Sequence, residues 1–372
     1  MIHQLTEGWE RIRPLFYEHS RQPVLNGILA GNNKGRIFVD SPDRPACALV
    51  WAEQEIFYLM GEPKETFVFA LPAWIREVIA PEAERIADPF FQVELMPEVK
   101  WRPIVERGLQ EFIPKPYDRV TFTFDPKRYR KLPPVSVPAD VRVERITREM
   151  LAEDSFAEVR DHIADFWISP EIFIENGFGY AVLVGDEVVC SCLTAFGNET
   201  DVEIGINTYS RTHRGKGYAQ LAARSFLDEC LHQNRTPHWK TEDFRLPSIK
   251  LAEKVGFTNR RLYKAYMFLY NELDNLVFTA YHRLRYFKDL AEAKRFLDRA
   301  CAYGDLKNWH HFLLACGYSL AGETESSLKH MERALELGWD HVSDLRYDMD
   351  LIHLRKTERG RALLEEFEKG LG

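Results

Sequence analysis

The stretch that decides the fold reads Arg214-Gly215-Lys216-Gly217-Tyr218-Ala219. It follows a strand-like run over 201–208 and precedes a helical pattern. In that pattern, small and apolar residues share one face: Ala219, Ala222, Ala223, Phe226 and Cys230. Glycines let a backbone come close to a phosphate, and the first turn of a helix offers unpaired N–H groups at the positive end of its dipole. The order strand, glycine loop, helix therefore predicts a cradle for an anion such as a diphosphate.

Two familiar nucleotide-binding loops do not fit these residues. A P-loop needs Gly-Lys followed by Ser or Thr, whereas Lys216 is followed by Gly217. A dinucleotide-binding loop needs a third glycine, which Ala219-Gln220-Leu221 does not supply. Another glycine-containing stretch, 31–35, lacks the spacing of a phosphate loop, so we interpret it as a turn that enters a strand.

The composition is that of a globular protein. The chain has 372 residues, 45% of them hydrophobic and 28% charged, which predicts two or three domains. The net charge of −8 gives no general attraction to nucleic acid or to an anionic membrane, and we expect neither as a partner. No apolar run is long enough to span a bilayer and the first residues do not read as a signal peptide, so we expect a cytoplasmic protein. The six cysteines are scattered without the spacing of a metal site, and we expect no metal.

The pattern divides the chain into three segments. A stretch with three prolines, 131–138, marks the boundary between the first segment, 1–132, and the second, 138–272. Both mix strand-like and helical runs, which predicts an α+β (α/β) fold. In the first segment the strand-like runs are 36–40, 46–51, 55–60 and 119–124, with a helical stretch over 71–79. In the second they are 141–146, 178–184, 187–196, 201–208, 238–241 and a run from 257, with helical stretches over 151–166 and 248–255.

The third segment, 276–372, has helical patterns only and repeats itself. Similar residues recur at a separation of 34 positions: Leu284 and Tyr318, Ala293 and Ser327, Leu297 and Met331, Ala300 and Ala334. This period, with small residues where two helices must approach closely, resembles tetratricopeptide repeats. The alternative is an ordinary helical bundle in which the alanines coincide by chance.

The second segment resembles the GCN5-related N-acetyltransferase (GNAT) superfamily. Arg214, Gly217 and Ala219 match its loop (Arg/Gln)-x-x-Gly-x-(Gly/Ala), 203–208 matches the strand before that loop, and 248–257 matches a helix that ends in Gly-Phe. Residues 1–270 also resemble a narrower bacterial group, the zwittermicin A resistance protein-like acetyltransferases. That likeness rests on 178–183, Thr208 and 237–239. It implies a tandem GNAT fold, with a degenerate GNAT-like half over 1–132 that lacks the loop motif and an active half over 138–272.

The resemblance implies acetyl-CoA as donor, and a primary amine that attacks the thioester directly. Main-chain amides at Gly215, Lys216, Gly217, Tyr218 and Ala219, with the Arg214 side chain, would hold the diphosphate. The strand edge at Ile206, Asn207 and Thr208 would bind the pantetheine arm, and an amide of Ile206 or Asn207 would polarise the thioester carbonyl. Arg245, in place of the usual asparagine, and Ser248 would contact the same carrier.

Glu203 is the candidate base for the acceptor amine, and its alternative role is a carboxylate that only pairs with a neighbouring strand. The superfamily's usual acid, a tyrosine, is replaced in the region of Leu251 and Ala252. Tyr263 or Tyr266 on the next strand would substitute as the acid that protonates the thiolate. Alternatively, both are plain sheet residues and solvent supplies the proton.

Three functions remain open from the sequence. The first is an N-acetyltransferase for a small-molecule amine, an antibiotic or a metabolite. The second is a protein or peptide N-acetyltransferase that recruits a protein partner through the repeat-like tail. The third is a non-catalytic acyl-CoA-binding scaffold, motivated by the replaced tyrosine and asparagine.

Overall fold

The computed structural model describes residues 2–19, 21–341 and 348–370. Within these residues, twelve strands form one sheet in the order β1-β2-β3-β4-β5-β12-β6-β11-β10-β9-β8-β7. The strands are β1 His3–Leu5, β2 Gly35–Val39, β3 Cys47–Ala52, β4 Ile56–Gly61, β5 Phe90–Met96, β6 Lys115–Phe124, β7 Val141–Arg145, β8 Gly179–Val184, β9 Glu187–Gly197, β10 Asp201–Thr208, β11 Thr236–Glu242 and β12 Phe257–Leu269.

Fifteen α-helices accompany these strands in the described part of the chain. They are α1 Pro23–Leu29, α2 Glu65–Val68, α3 Leu71–Trp74, α4 Ala80–Arg85, α5 Glu98–Gly108, α6 Pro126–Tyr129, α7 Ala157–Phe166, α8 Pro170–Asn176, α9 Tyr218–His232, α10 Leu246–Lys254, α11 Glu272–His282, α12 Leu290–Tyr303, α13 Asn308–Ala321, α14 Thr324–Glu336 and α15 Glu358–Gly370. Turns of 3₁₀ or π helix add Trp9–His19, Ile75–Ile79, Gln110–Phe112, Met150–Ala152, Asp154–Phe156, Arg211–His213, Arg283–Phe287, Met349–Leu351 and Leu354–Lys356.

The first two segments exchange their last strands within the sheet. β6, the last strand of the first segment, lies between β12 and β11 of the second. β12 in turn lies between β5 and β6. Contacts therefore do not follow sequence order. One compact unit contains the chain up to Ile75, Gln92–Gly108 and Pro116–Tyr266, and the other contains Arg76–Phe91, Leu109–Lys115 and the chain from Met267 on. The segment boundaries given above stay a prediction.

Helix α9 packs on the first unit's sheet with the face that the sequence predicted. Ala222, Ala223, Phe226 and Cys230 are fully buried, and Phe226 stacks on Phe178 with ring centroids 4.6 Å apart. Burying one phenylalanine side chain contributes about 1.5–3 kcal/mol. This packing fixes the helix, and with it the loop that precedes its first turn.

Two predicted helices are shorter or more broken than expected. The run 71–79 becomes α3 followed by a π turn, and the helix continues as α4 up to Arg85. The run 151–166 is helical only from Ala157, after two 3₁₀ turns, because Asp154 and Ser155 break the regular pattern.

The tail is helical, as predicted. Ala293 and Ala300 of α12 are fully buried, and so are Ser327 and Ala334 of α14, their counterparts 34 positions along. α11 packs on α12 and α13 packs on α14. The tetratricopeptide-like nature of this region stays a prediction.

Candidate active site

The glycine loop presents its backbone to open space. Gly215 and Gly217 have φ angles of +76° and +90°, which side chains rarely adopt, and a Cβ added at either would meet nothing within 4 Å. The side chains of Arg214 and Lys216 are exposed beside them. These two glycines are therefore required by backbone conformation, and the surface above them is free for a ligand.

From Gly215 to Ala219, the N–H groups of this loop have no acceptor in the described part of the chain. Gly217 is the N-cap of α9 without a side-chain cap, and the first bonded amide after it is that of Gln220. α9 is 15 residues long, so the full helix dipole adds positive potential at Tyr218. Unpaired amides, a dipole and two cations fit a diphosphate group.

The strand before the loop has one free edge. β10 pairs with β9 from Val202 to Thr208, but it pairs with β11 only from Asp201 to Glu203. On its other edge, β11 pairs with β6 from Trp239 to Glu242. Beyond Glu203 the peptide groups on this edge of β10 have no strand partner among the described residues, so an extended ligand is able to pair with them.

A bulge in β9 lies where β10 leaves β11. Ala195 is unpaired in β9, opposite the step from Glu203 to Ile204. The fully buried Asn33 holds this bulge: its Nδ2 donates to the Ala195 carbonyl (2.9 Å) and its Oδ1 accepts from the Gly197 amide (3.1 Å). A bulge bends its strand and increases local twist, and this one lies at the same point along the sheet as the end of the β10–β11 pairing.

Glu203 is a buried carboxylate without a full set of partners. Val202, Ile204 and Ile206 pack in the core with α9, so Glu203 and Gly205 occupy the opposite face of β10. Oε2 of Glu203 is buried and has no hydrogen-bond partner in the described chain. Burial raises the pKa of Glu203, against an opposing attraction from Lys240 and His238.

Charged residues from both segments surround Glu203. Glu94 accepts hydrogen bonds from the Tyr263 hydroxyl (2.8 Å) and from Lys240 Nζ (3.4 Å). Arg119 pairs with Glu55 (3.1 Å) and lies 3.7 Å from Glu94. Burial acts to raise the pKa of Glu94, but Lys240 and Arg119 outweigh it and lower that pKa.

The charges in this cluster do not balance. Three carboxylates, Glu55, Glu94 and Glu203, face two cations, Arg119 and Lys240. The nearby His238 already pairs with Asp201 at 2.7 Å. When all five groups are ionised, the carboxylates outnumber the cations by one, and Glu203 is the carboxylate whose buried Oε2 has no hydrogen-bond partner among the described residues. The cluster therefore suits an incoming cation.

Of the remaining predicted site residues, one contacts the charged cluster around Glu203 and the others make contacts elsewhere. Tyr263 belongs to the cluster, whereas the Tyr266 hydroxyl donates to Glu98 at 3.1 Å. Arg245 is exposed and pairs with Glu242 at 2.6 Å. Ser248 Oγ accepts from the Trp239 indole at 3.1 Å, at the start of α10.

Sequence reasoning missed Asn33, Glu94 and His162. Asn33 lies in the stretch that we interpreted as a plain turn. Glu94 gave no signal either, because it takes the polar position in the alternating run Phe91, Val93, Leu95 and becomes buried only in the folded sheet. His162, on α7, had no signal in the sequence.

The sequence model of the GNAT acetyltransferase family matches residues 13–266. The chain belongs to this family. It is 24% identical over 267 residues to the uncharacterized N-acetyltransferase YdfB of Bacillus subtilis (strain 168), covering 72% of this chain and 98% of that protein.

Solved structures give the same family names. A GCN5-related N-acetyltransferase-like protein from Streptococcus suis 89/1591 is 21% identical, with a TM-score of 0.49, over 69% of this chain and 97% of that one. A tandem GNAT protein from the clavulanic acid biosynthesis pathway is 13% identical, with a TM-score of 0.44, over 72% and 98% of the two chains.

Membership makes the protein an N-acetyltransferase, and GNAT enzymes use acetyl-CoA as the acetyl donor. The glycine loop and the free strand edge fit that carrier. In the described residues, no group of three or more His, Cys, Asp or Glu side chains is placed to hold a metal ion. No described helix is both long enough and apolar enough to cross a membrane.

Proposed function

We propose that this GNAT enzyme acetylates a primary amine of a small molecule, which attacks the acetyl-CoA thioester directly. The observation that carries the proposal is the buried, unpartnered Oε2 of Glu203 at the point where β10 leaves β11. An acceptor that arrives as an ammonium ion supplies the positive charge that the surrounding cluster lacks.

The same carboxylate addresses the main chemical obstacle. A primary amine with a pKa of about 10.4 is only about 1 part in 2,500 unprotonated at pH 7, a handicap of about 4.6 kcal/mol. Burial raises the pKa of Glu203 toward that of the ammonium, which makes proton transfer to Glu203 less unfavourable. Glu203 takes the first proton from the ammonium and passes it to solvent, which frees the nitrogen lone pair for attack. Glu203 is then able to take the second proton as the amine attacks.

The loop and the strand edge would hold acetyl-CoA, which supplies the activated acetyl group. The amides of Gly215, Gly217, Tyr218 and Ala219 would bind the diphosphate, with Arg214 and Lys216 beside it. Ile206, Asn207 and Thr208 would pair with the pantetheine arm, and an amide of Ile206 or Asn207 would polarise the carbonyl. Arg245 and Ser248, at the start of α10, would contact the same carrier.

Tyr263 is the better placed of the two candidate acids. Its hydroxyl donates to Glu94, beside Glu203, and burial raises its pKa well above the ordinary value. The hydroxyl therefore keeps its proton at neutral pH. Because an ordinary thiol has a pKa of about 8.5, transfer of that proton to the thiolate is uphill, and solvent is the easier source. Tyr266 makes its hydrogen bond to Glu98 instead, and solvent remains a third source of the proton.

A protein or peptide acceptor is the second candidate function. Equivalent burial at Ala293 and Ser327, and at Ala300 and Ala334, favours stacked helix pairs of the tetratricopeptide type. Such pairs form concave surfaces that bind peptides. The narrower resemblance to zwittermicin A resistance proteins, which the sequence motifs suggest, would favour instead an antibiotic or metabolite amine.

The test is thiol release from acetyl-CoA by the full-length protein, with a panel of small primary amines and a panel of lysine-containing peptides. We expect turnover with small amines. We expect no turnover when each amine is replaced by an alcohol of the same shape. Turnover with peptides alone would favour the second candidate. CoA binding without any turnover would indicate the non-catalytic scaffold. Deleting the tail is a poor test, because Arg76–Phe91 and Leu109–Lys115 belong to the same compact unit.

A further inference from the structure

His162 places an imidazole against the part of β10 that has a free edge. It lies on α7 between Val159 and Ile163, both of which are fully buried. A Cβ added to Gly205 would lie 3.2 Å from Nε2 of His162. The ring therefore occupies the space that a side chain at position 205 would need.

Gly205 and Glu203 share one face of β10. Gly205 lies two residues, about 7 Å, further along the strand. It also lies beyond the last residue of β10 that pairs with β11. The imidazole thus lies over the face of β10 at Gly205, two residues beyond the candidate base toward the glycine loop, next to Ala195 of β9.

The two ring nitrogens have different surroundings. Nδ1 is buried and has no hydrogen-bond partner among the described residues. A buried N–H without an acceptor is rarer in proteins than an unused lone pair, so the proton belongs on Nε2. Burial alone lowers the pKa of His162 to about 4, and the ring is neutral at neutral pH. Nε2–H is then a donor directed at Gly205.

We propose that His162 is a further catalytic residue, whose Nε2–H donates a hydrogen bond to the thioester oxygen as negative charge develops on it. This role rests on the proposed function. The amine nitrogen forms a bond to the carbonyl carbon, the π pair moves onto oxygen, and the amine proton passes to Glu203. When the C=O bond re-forms, the C–S bond breaks. Its electron pair leaves on sulfur, which takes a proton from Tyr263 or water.

A neutral imidazole suits this role better than that of a base. A group that binds a proton so weakly is a poor acceptor for an ammonium proton. A donor that is already in place before the charge develops, in contrast, needs no reorganisation during the reaction. The backbone amide of Ile206 or Asn207 would supply the second donor.

The test compares His162→Phe with His162→Gln. Phenylalanine keeps a ring without a donor, whereas glutamine returns an amide N–H near the Nε2 position. We expect His162→Phe to lower kcat by about 10²–10³-fold, the loss typical of one oxyanion donor, with unchanged CoA affinity by calorimetry. His162→Gln should restore most of that loss.

A measurement without turnover adds to this comparison. Nitrogen-15 NMR of the imidazole in the free protein should show a neutral ring that is protonated on Nε2. Wild-type kcat in His162→Phe, equal losses in both variants, or a proton on Nδ1 would each overturn the role. A wild-type enzyme that acetylates no amine would overturn the proposed function and this role together. An active wild type with an unaffected phenylalanine variant would overturn this role alone.

Discussion

Two parallel strand pairs of the sheet differ in how far they stay together. In the first segment, β4 pairs with β5 from Phe57 to Met60, almost to the end of β4 at Gly61. In the second, β10 pairs with β11 only up to Glu203 and then continues to Thr208 with a free edge. The β4–β5 pair therefore stays hydrogen-bonded almost to the end of β4, whereas the β10–β11 pair separates after Glu203.

The segments that follow β4 and β10 also differ, in the space around their glycines and in the length of the next helix. A Cβ at Gly61 would lie 2.3 Å from the Ala46 carbonyl oxygen, whereas Gly215 and Gly217 face open space. β4 leads to α2, which has 4 residues, and β10 leads to α9, which has 15. A short helix offers little dipole and few aligned amides. The comparison teaches that the open edge, the open glycine loop and the long helix occur together after β10 and not after β4. This supports our proposal that the first half is degenerate.

The largest effect is expected from Gly217→Asp. A carboxylate would face the diphosphate, so CoA affinity should fall more than about 100-fold, or about 3 kcal/mol. The matched control is Gly185→Asp, since Gly185 also has a positive φ (+60°) and open space around it. Both variants carry a similar backbone strain of about 1–2 kcal/mol. Calorimetric titration should therefore show a much lower CoA affinity for Gly217→Asp than for Gly185→Asp. Equal affinities would mean that the loop is not part of the CoA-binding site.

Glu203→Gln should lower kcat by about 10²–10⁴-fold, because the amide cannot accept the amine proton. The acidic limb of the pH–rate profile should move to higher pH, where more free amine is present in solution. A profile and a rate like those of the wild type would contradict a catalytic role for Glu203.

The same variant should be more stable than the wild type at neutral pH. Burial raises the pKa of Glu203 in the folded state, so the folded protein holds a proton that the unfolded chain releases. Wild-type stability therefore falls as pH rises from the ordinary glutamate range to the raised pKa. Glu203→Gln removes this dependence, which chemical denaturation at several pH values would detect. An unchanged pH dependence would contradict the burial argument.

Asn33→Ala tests the link between the two halves and should have the smallest effect on catalysis. It leaves the Ala195 carbonyl and the Gly197 amide without their partner. The free energy of unfolding should fall by about 2–4 kcal/mol, at roughly 1–3 kcal/mol for each unpaired buried group. The KM for acetyl-CoA should rise because the bulge relaxes. Asn32→Ala, which removes a bond to the Gly197 carbonyl (2.9 Å), should raise that KM less. Equal KM values in both variants and the wild type would show that the bulge does not shape the free edge of β10 for acetyl-CoA.

Local patterns predicted the loop, the helix behind it and most strands, because alternation and glycine placement are read from neighbouring residues. The strand run over 201–208 and the buried face of α9 are examples. The exchange of β6 and β12 was not predictable, since pairing between distant strands leaves no local pattern. For the same reason the sequence did not indicate Asn33 or Glu94, whose contacts with β9, β11 and β12 form only in the folded sheet. Glu203 was proposed from the family resemblance.

The most direct test of this comparison is hydrogen exchange of the full-length protein with and without CoA. The amides of 215–219 should become strongly protected when CoA binds, while the amides of 61–65, after β4, should exchange at the same rate in both states. Protection at 61–65, or unchanged exchange at 215–219, would contradict the assignment of the diphosphate site to the open strand pair.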